Sequence, residues 1–164
     1  MADITIRHVR EGDAEAIHAI LEAPHVVRGT MRLPFLSIEA ARERIGAREG
    51  IIKLVAVHGT DVAGYELVQE QNQPRHRHAG EINMIATHPS FRGRKVGEKL
   101  MAAMIDLADN WLQLTRLGLI VWKDNTGAIA LYGRFGFSVE GTMPNYVFLD
   151  GKYVDAQMMG RVRI

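Results

Sequence analysis

Apolar and polar residues change period several times along this chain, and each change marks an element. Ile4, Ile6 and the residues to Val9 alternate as in a strand, and Gly12-Asp13 then open a short helix with Ile17, Ile20 and Leu21 on one face. Pro24 is expected to end that helix. The stretch PHVVRGTMRLPF, Pro24 to Phe35, keeps no period; it predicts an irregular connection, of a length that often carries function, before a second helix from Ser37 to about Arg48. Lys53 to Val57 and Val62 to Glu70 predict a hairpin about His58-Gly59-Thr60-Asp61. A polar loop, Gln71 to His78, leads into a fourth strand, GEINMIAT. Val96, Leu100, Met101, Met104, Ile105, Ala108, Trp111 and Leu112 then recur at three-to-four spacing, which marks an amphipathic helix whose stripe reads as core packing. Leu117 to Trp122 predicts a strand, and Asn125 to Phe135 a helix closed by Gly136 as a left-handed cap. Asp150-Gly151 between two strand-like runs signals a last hairpin. The order β-α-α-β-β-β-α-β-α-β-β predicts one mixed α/β (α+β) domain over residues 1–164, with about seven mostly antiparallel strands flanked by four helices.

Composition narrows the chemistry. Twenty basic and nineteen acidic residues among 164 give a formal charge of +1 with no long run of one sign, so nothing favours nucleic acid or an anionic membrane as partner. The first residues offer no apolar signal-peptide core, no window approaches eighteen unbroken apolar residues, and a soluble, cytoplasmic protein with a small partner is expected. The absence of cysteine excludes disulfides, thiolate metal sites and a cysteine nucleophile. Ser37, Ser90 and Ser138 are the only serines, and none sits in a G-x-S-x-G elbow. His76 and His78 would share a strand face, but no third ligand has suitable spacing and Arg75 and Arg77 would repel a cation, so no metal is expected. A solvated turn, or steering of an anionic acceptor, are the readings of that cluster.

FRGRKVGEKL, Phe91 to Leu100, places a basic, glycine-containing loop between a strand and a helix. Unpaired backbone N–H groups and the helix dipole suit an anion there, and Arg92, Arg94 and Lys95 add full charges. Alone, the loop is equally a solvated basic turn. Arg92 to Gly97, R-G-R-K-V-G, resembles the Q/R-x-x-G-x-G/A signature of the GNAT superfamily of acyl-CoA-dependent N-acyltransferases. The resemblance implies that backbone amides of Arg92, Gly93, Arg94, Lys95, Val96 and Gly97 bind the pyrophosphate of the cofactor, acetyl-CoA. Lys95 departs from the pattern, which carries glycine there. A right-handed backbone at the first helical turn would let lysine stay.

A second match is more specific. N-T-G-A-I-A-L-Y-G-R-F-G-F resembles the family's N-x-x-A-x-x-x-Y-x-x-x-G-F at Asn125, Ala128, Tyr132, Gly136 and Phe137. Asn125 and Tyr132 stand two helical turns apart, about 10 Å along one face. The resemblance places Asn125, Ala128 and Tyr132 along the pantetheine arm, with Tyr132 protonating the departing thiolate. It assigns Ile85, Ala86 and Thr87 to the acyl end of the cofactor and makes Glu81 a base acting directly or through water. In a regular strand Glu81 shares a face with Ile85. The plainer readings are a core tyrosine, an N-capping Asn125 and a solvated Glu81.

IRHVREGDAEAI, DNWL, EGT and GKYVDAQMMGRV extend the resemblance over nearly the whole chain, to a bacterial GNAT subgroup of L-amino acid N-acetyltransferases. That implies a free amino acid as the amine acceptor. Arg28 or Arg32 is the candidate partner of its carboxylate, and Tyr146 could close over its side chain, unless the arginines are solvated and Tyr146 packs across strands. Protein N-termini, polyamines and xenobiotic amines are alternative acceptors, and a non-catalytic CoA sensor is an alternative role. The apolar hairpin around Val147 to Met159 makes a homodimer the expected assembly.

Overall fold

The computed structural model describes residues 3–164. Among them are seven strands, β1 (Ile4–His8), β2 (Ile51–His58), β3 (Asp61–Glu70), β4 (Ala79–Thr87), β5 (Arg116–Trp122), β6 (Ser138–Leu149) and β7 (Lys152–Val162). Five α-helices accompany them: α1 (Ala14–Glu22), α2 (Pro24–Arg28), α3 (Ile38–Ile45), α4 (Val96–Asn110) and α5 (Thr126–Arg134). The strands form one sheet in the order β1-β2-β3-β4-β5-β7-β6, antiparallel throughout except where β4 meets β5.

Hydrophobic residues cover both faces of the sheet. On one face α4 buries Val96, Leu100, Met101, Met104 and Ala108 against Leu54, Ala56, Val68 and Ile82, and Tyr132 and Phe137 of the α5 segment join them. Each large side chain so buried is worth about 1.5–3 kcal/mol. The other face meets α1, where Ile17, Ile20 and Leu21 pack on Val55, Val57, Tyr65 and Ala86. Gly64 sets how closely α4 approaches, because a Cβ there would lie 2.6 Å from Val96 Cγ1 and 3.0 Å from the Ala86 carbonyl.

Two local expectations need correction. Helix α1 ends before Pro24 as expected, with Ala23 extended, but Pro24 also begins a further helix, α2, at the position where proline's missing N–H costs nothing. The irregular connection is therefore shorter than expected, and the helices number five instead of four. Trp111 does not continue the buried stripe of α4; it lies just past the helix end and is 74% exposed. The Asp150-Gly151 hairpin is present, with both residues at positive φ, 51° and 77°, as a two-residue turn of mirror-image type requires.

Candidate functional site

Strands β4 and β5 run parallel and pair only at their starts, Ala79 to Arg116, Gly80 to Leu117 and Glu81 to Gly118. Beyond Glu81 they separate. The separation coincides with a bulge in β4: Val68 of β3 faces Ile82 and Leu67 faces Met84, which leaves Asn83 over. Asn83 Nδ2 donates to Gln69 Oε1 at 3.1 Å. The diverging strands open a cleft of about 1350 Å³, lined by β4, β5 and the starts of α4 and α5. That is above the range for a drug-sized molecule, about 300–1,000 Å³, and suits a long ligand.

The bulge overturns one expectation. With an extra residue between Ile82 and Met84, the β4 side chains switch faces. Ile82 and Ile85 pack with the α4-side core, whereas Met84 and Ala86 belong to the α1 side. Glu81 pairs with Gln69, in step with the α1-side pair Leu67–Met84, so it lies on the face opposite Ile85. Its exposed carboxylate lines the cleft.

At the start of α4 the backbone turns twice through the left-handed region, at Gly93 (φ 78°) and Lys95 (φ 61°, ψ 25°). Lys95 is therefore not in the right-handed first turn; it is the N-cap, in the conformation for which glycine is ordinarily used. Alternating right- and left-handed residues gather successive amides into a concave nest for an anion. The amides of Gly93, Lys95, Val96 and Gly97 have no partner among the described residues, whereas those of Arg92 and Arg94 are bonded to the Pro89 and Phe91 carbonyls. Four free amides, not six, are thus available. The Arg94 guanidinium lies over the Phe91 ring, 5.1 Å from its centroid. This nest, in the wall of the cleft, fits a diphosphate.

Along the other wall Asn125 caps α5, its side chain accepting from the Ala128 amide at 3.3 Å, and Ala128 and Tyr132 follow on the same cleft-lining face. Tyr132 is nearly buried, and burial pushes its phenol well above the usual range. Glu66 was not singled out by the sequence. Its carboxyl is 0% exposed, lies opposite Ile85 in the ladder, and neither oxygen has a hydrogen-bond partner. Burial alone drives its pKa well up, so it is held protonated. A glutamate inside the alternation of β3 was the only available signal. His25 of α2 is another residue the sequence did not flag: its Nε2 meets the Thr87 carbonyl at 2.9 Å, which makes Nε2 the protonated nitrogen, and burial lowers its pKa.

The two candidate arginines part company. Arg28 bonds to Asp124 at 2.9 Å and Asp150 at 3.1 Å, and its carbonyl accepts from Trp122 Nε1 at 2.9 Å, so it clamps α2 to the far end of the sheet and lies outside the cleft. Arg32 lines the cleft. Its Nη2 bonds to the Leu21 carbonyl, while Nε and Nη1 are buried with no partner. Tyr146 lines the cleft as well and stacks obliquely on Trp122, with ring centroids 6.1 Å apart.

A sequence profile of the Acetyltransferase (GNAT) family matches residues 14–137. The chain belongs to this family. It is an N-acetyltransferase that draws on an acyl-CoA. The L-amino acid N-acetyltransferase AaaT of Escherichia coli K12 is 39% identical over 163 residues, covering 99% of this chain and 100% of the relative. Among solved structures, spermidine N-acetyltransferase from Vibrio cholerae in complex with CoA and spermine superposes with a TM-score of 0.87 at 22% identity, covering 97% of this chain and 95% of that one. A putative phosphinothricin N-acetyltransferase gives 0.85 at 24% identity, with 98% of both chains covered. At those identities the two structures establish the GNAT fold alone.

Proposed function

We propose that the chain transfers an acetyl group from acetyl-CoA to the α-amine of a free L-amino acid. The observation that carries the acceptor assignment is Arg32, whose buried Nε and Nη1 lack any acceptor beside the cleft. An unpartnered guanidinium N–H makes a charge-assisted hydrogen bond to a carboxylate oxygen. An amine bearing its own carboxylate supplies that charge, whereas a polyamine would meet a cation. The segment from Pro24 to Leu36 contains no carboxylate to receive a polyamine. The resemblance in sequence to an L-amino acid N-acetyltransferase supports the same reading.

In this reading the amides of Gly93, Lys95, Val96 and Gly97 hold the diphosphate, and Asn125, Ala128 and Tyr132 line the arm. Acetyl-CoA, when bound, supplies a thioester carbonyl whose C–S bond breaks as the new C–N bond forms. Glu81, facing the α1 side where the acceptor enters, takes a proton from its ammonium, directly or through water, and frees the lone pair that attacks. Backbone N–H groups beside Ile85 stabilise the oxyanion. Tyr132, kept protonated by its burial, gives its proton to the departing sulfur. The exposed edge of β6, with Val139 and Phe148 open to solvent, suits pairing with a second copy, which sedimentation velocity reads directly.

A thiol-release assay with acetyl-CoA across free amino acids, spermidine and short peptides tests the acceptor. At least one amino acid should exceed the polyamine and peptides tenfold in kcat/KM. Turnover confined to polyamines or peptides would replace the proposed acceptor.

A further inference from the structure

A side branch of the cleft lies beneath α3. It encloses about 100 Å³ and is lined by Leu21, Ile51, Leu67 and Met84 together with Arg44, Arg48, Lys53 and Tyr65. Arg44, Arg48, Ile51, Leu67 and Met84 also line the main cleft, so the branch adjoins it. Its side chains include three cationic donors, Arg44, Arg48 and Lys53, and the Tyr65 hydroxyl, which can donate as well as accept. Lys53 is 5% exposed, and its ammonium has only the Gly46 carbonyl. Tyr65 is 2% exposed, and its hydroxyl has no partner. Among the described residues no carboxylate forms an ion pair with Arg32, Arg44, Arg48 or Lys53. Glu22, which acts favourably on Arg32, is already accepting from the Phe35 and Leu36 amides.

The charges around the branch repel one another. Arg44 acts against Arg32, and Arg48 against Lys53, so that both guanidinium and ammonium are depressed, with burial the larger cause in each case. Burial raises Tyr65 to about 12, which leaves it a neutral donor at physiological pH. A cavity with apolar walls, three cationic side chains and no carboxylate among its lining is complementary to a short aliphatic stem ending in an anion. At about 100 Å³ the branch is smaller than the roughly 150 Å³ cavity that takes up benzene, and suits a short side chain.

We propose that the preferred acceptor is an amino acid with an acidic side chain, its α-carboxylate on Arg32 and its terminal carboxylate in the branch between Tyr65, Lys53, Arg44 and Arg48. The inference rests on the amino-acid reading above and narrows it. Within that reading Tyr65 and Arg48 are specificity-determining residues and take no part in the proton transfers.

Steady-state kinetics with acetyl-CoA, comparing L-glutamate and L-aspartate with L-glutamine and L-asparagine, test it. Glutamate or aspartate should exceed its amide by at least tenfold in kcat/KM, mainly through KM. Tyr65→Phe, which removes only the hydroxyl, and Arg48→Gln, in the exposed loop after α3, should each lower kcat/KM for the acid severalfold more than for the amide. Equal or better turnover of the amide, or equal losses on acid and amide in both variants, overturns the acidic acceptor and leaves amino-acid acetylation standing. Acetylation of other amines with no amino acid accepted overturns both.

Discussion

A carboxyl buried without a partner is costly unless it stays protonated, and Glu66 is in that position. Its folded pKa lies well above the ordinary 4.5, so from about pH 4.5 upward the unfolded chain releases a proton that the folded chain keeps. Stability from this group is complete below pH 4.5 and declines as pH rises, by up to about 1.4 kcal/mol per pH unit until the folded carboxyl ionises. Glu66→Gln removes that slope. Urea unfolding should show the variant gaining on the parent chain by about 1 kcal/mol or more between pH 5 and pH 8; a stability difference equal at both pH values would mean that Glu66 is ionised in the fold. The same carboxyl bears on chemistry. While neutral it leaves Tyr132 free to part with its proton, whereas a charge beside it would oppose formation of the phenolate.

At the scale of elements, the nest that opens α4 explains why glycine is the usual residue where Lys95 stands. A left-handed lysine carries about 1–2 kcal/mol of strain that glycine does not. Lys95→Gly should therefore raise the unfolding free energy by up to about 1 kcal/mol, while the CoA Kd by calorimetry rises no more than about threefold, because amides hold the diphosphate. A tenfold or greater loss of affinity would show that the ammonium does the holding. The strand–loop–helix order around this nest was legible in the sequence, since it follows from a change of hydrophobic period and from residue types at fixed spacing. The nest's handedness was not, because a lysine gives no local sign of positive φ. The Asn83 bulge was equally hidden: GEINMIAT alternates well enough to pass for a regular strand, and only pairing with β3 shows that Glu81 and Ile85 face opposite ways.

For the whole molecule, a mixed and mostly antiparallel sheet could be read from the order of elements, as could Asn125 and Tyr132 on one helical face. What lay beyond the sequence depended on long-range contacts. Arg28 and Arg32 look alike in RGTMR, yet one meets Asp124 and Asp150 from distant loops and the other is left with bare donors beside the cleft. Lys53, Tyr65 and Glu66 sit in ordinary strand patterns, and the burial of all three, with Tyr65 and Glu66 left without partners, appears only once the sheet and its helices are assembled.

The central claim is that the gap between β4 and β5 holds acyl-CoA with its diphosphate in the Gly93–Gly97 nest. Residue-resolved amide hydrogen exchange by NMR, with and without saturating acetyl-CoA, tests it most directly. Exchange at Gly93, Lys95, Val96 and Gly97 should slow at least tenfold in the complex, with further protection along β4 from Ile85 to Thr87. Saturable binding that leaves those four amides unprotected, or no binding at all, would contradict the account.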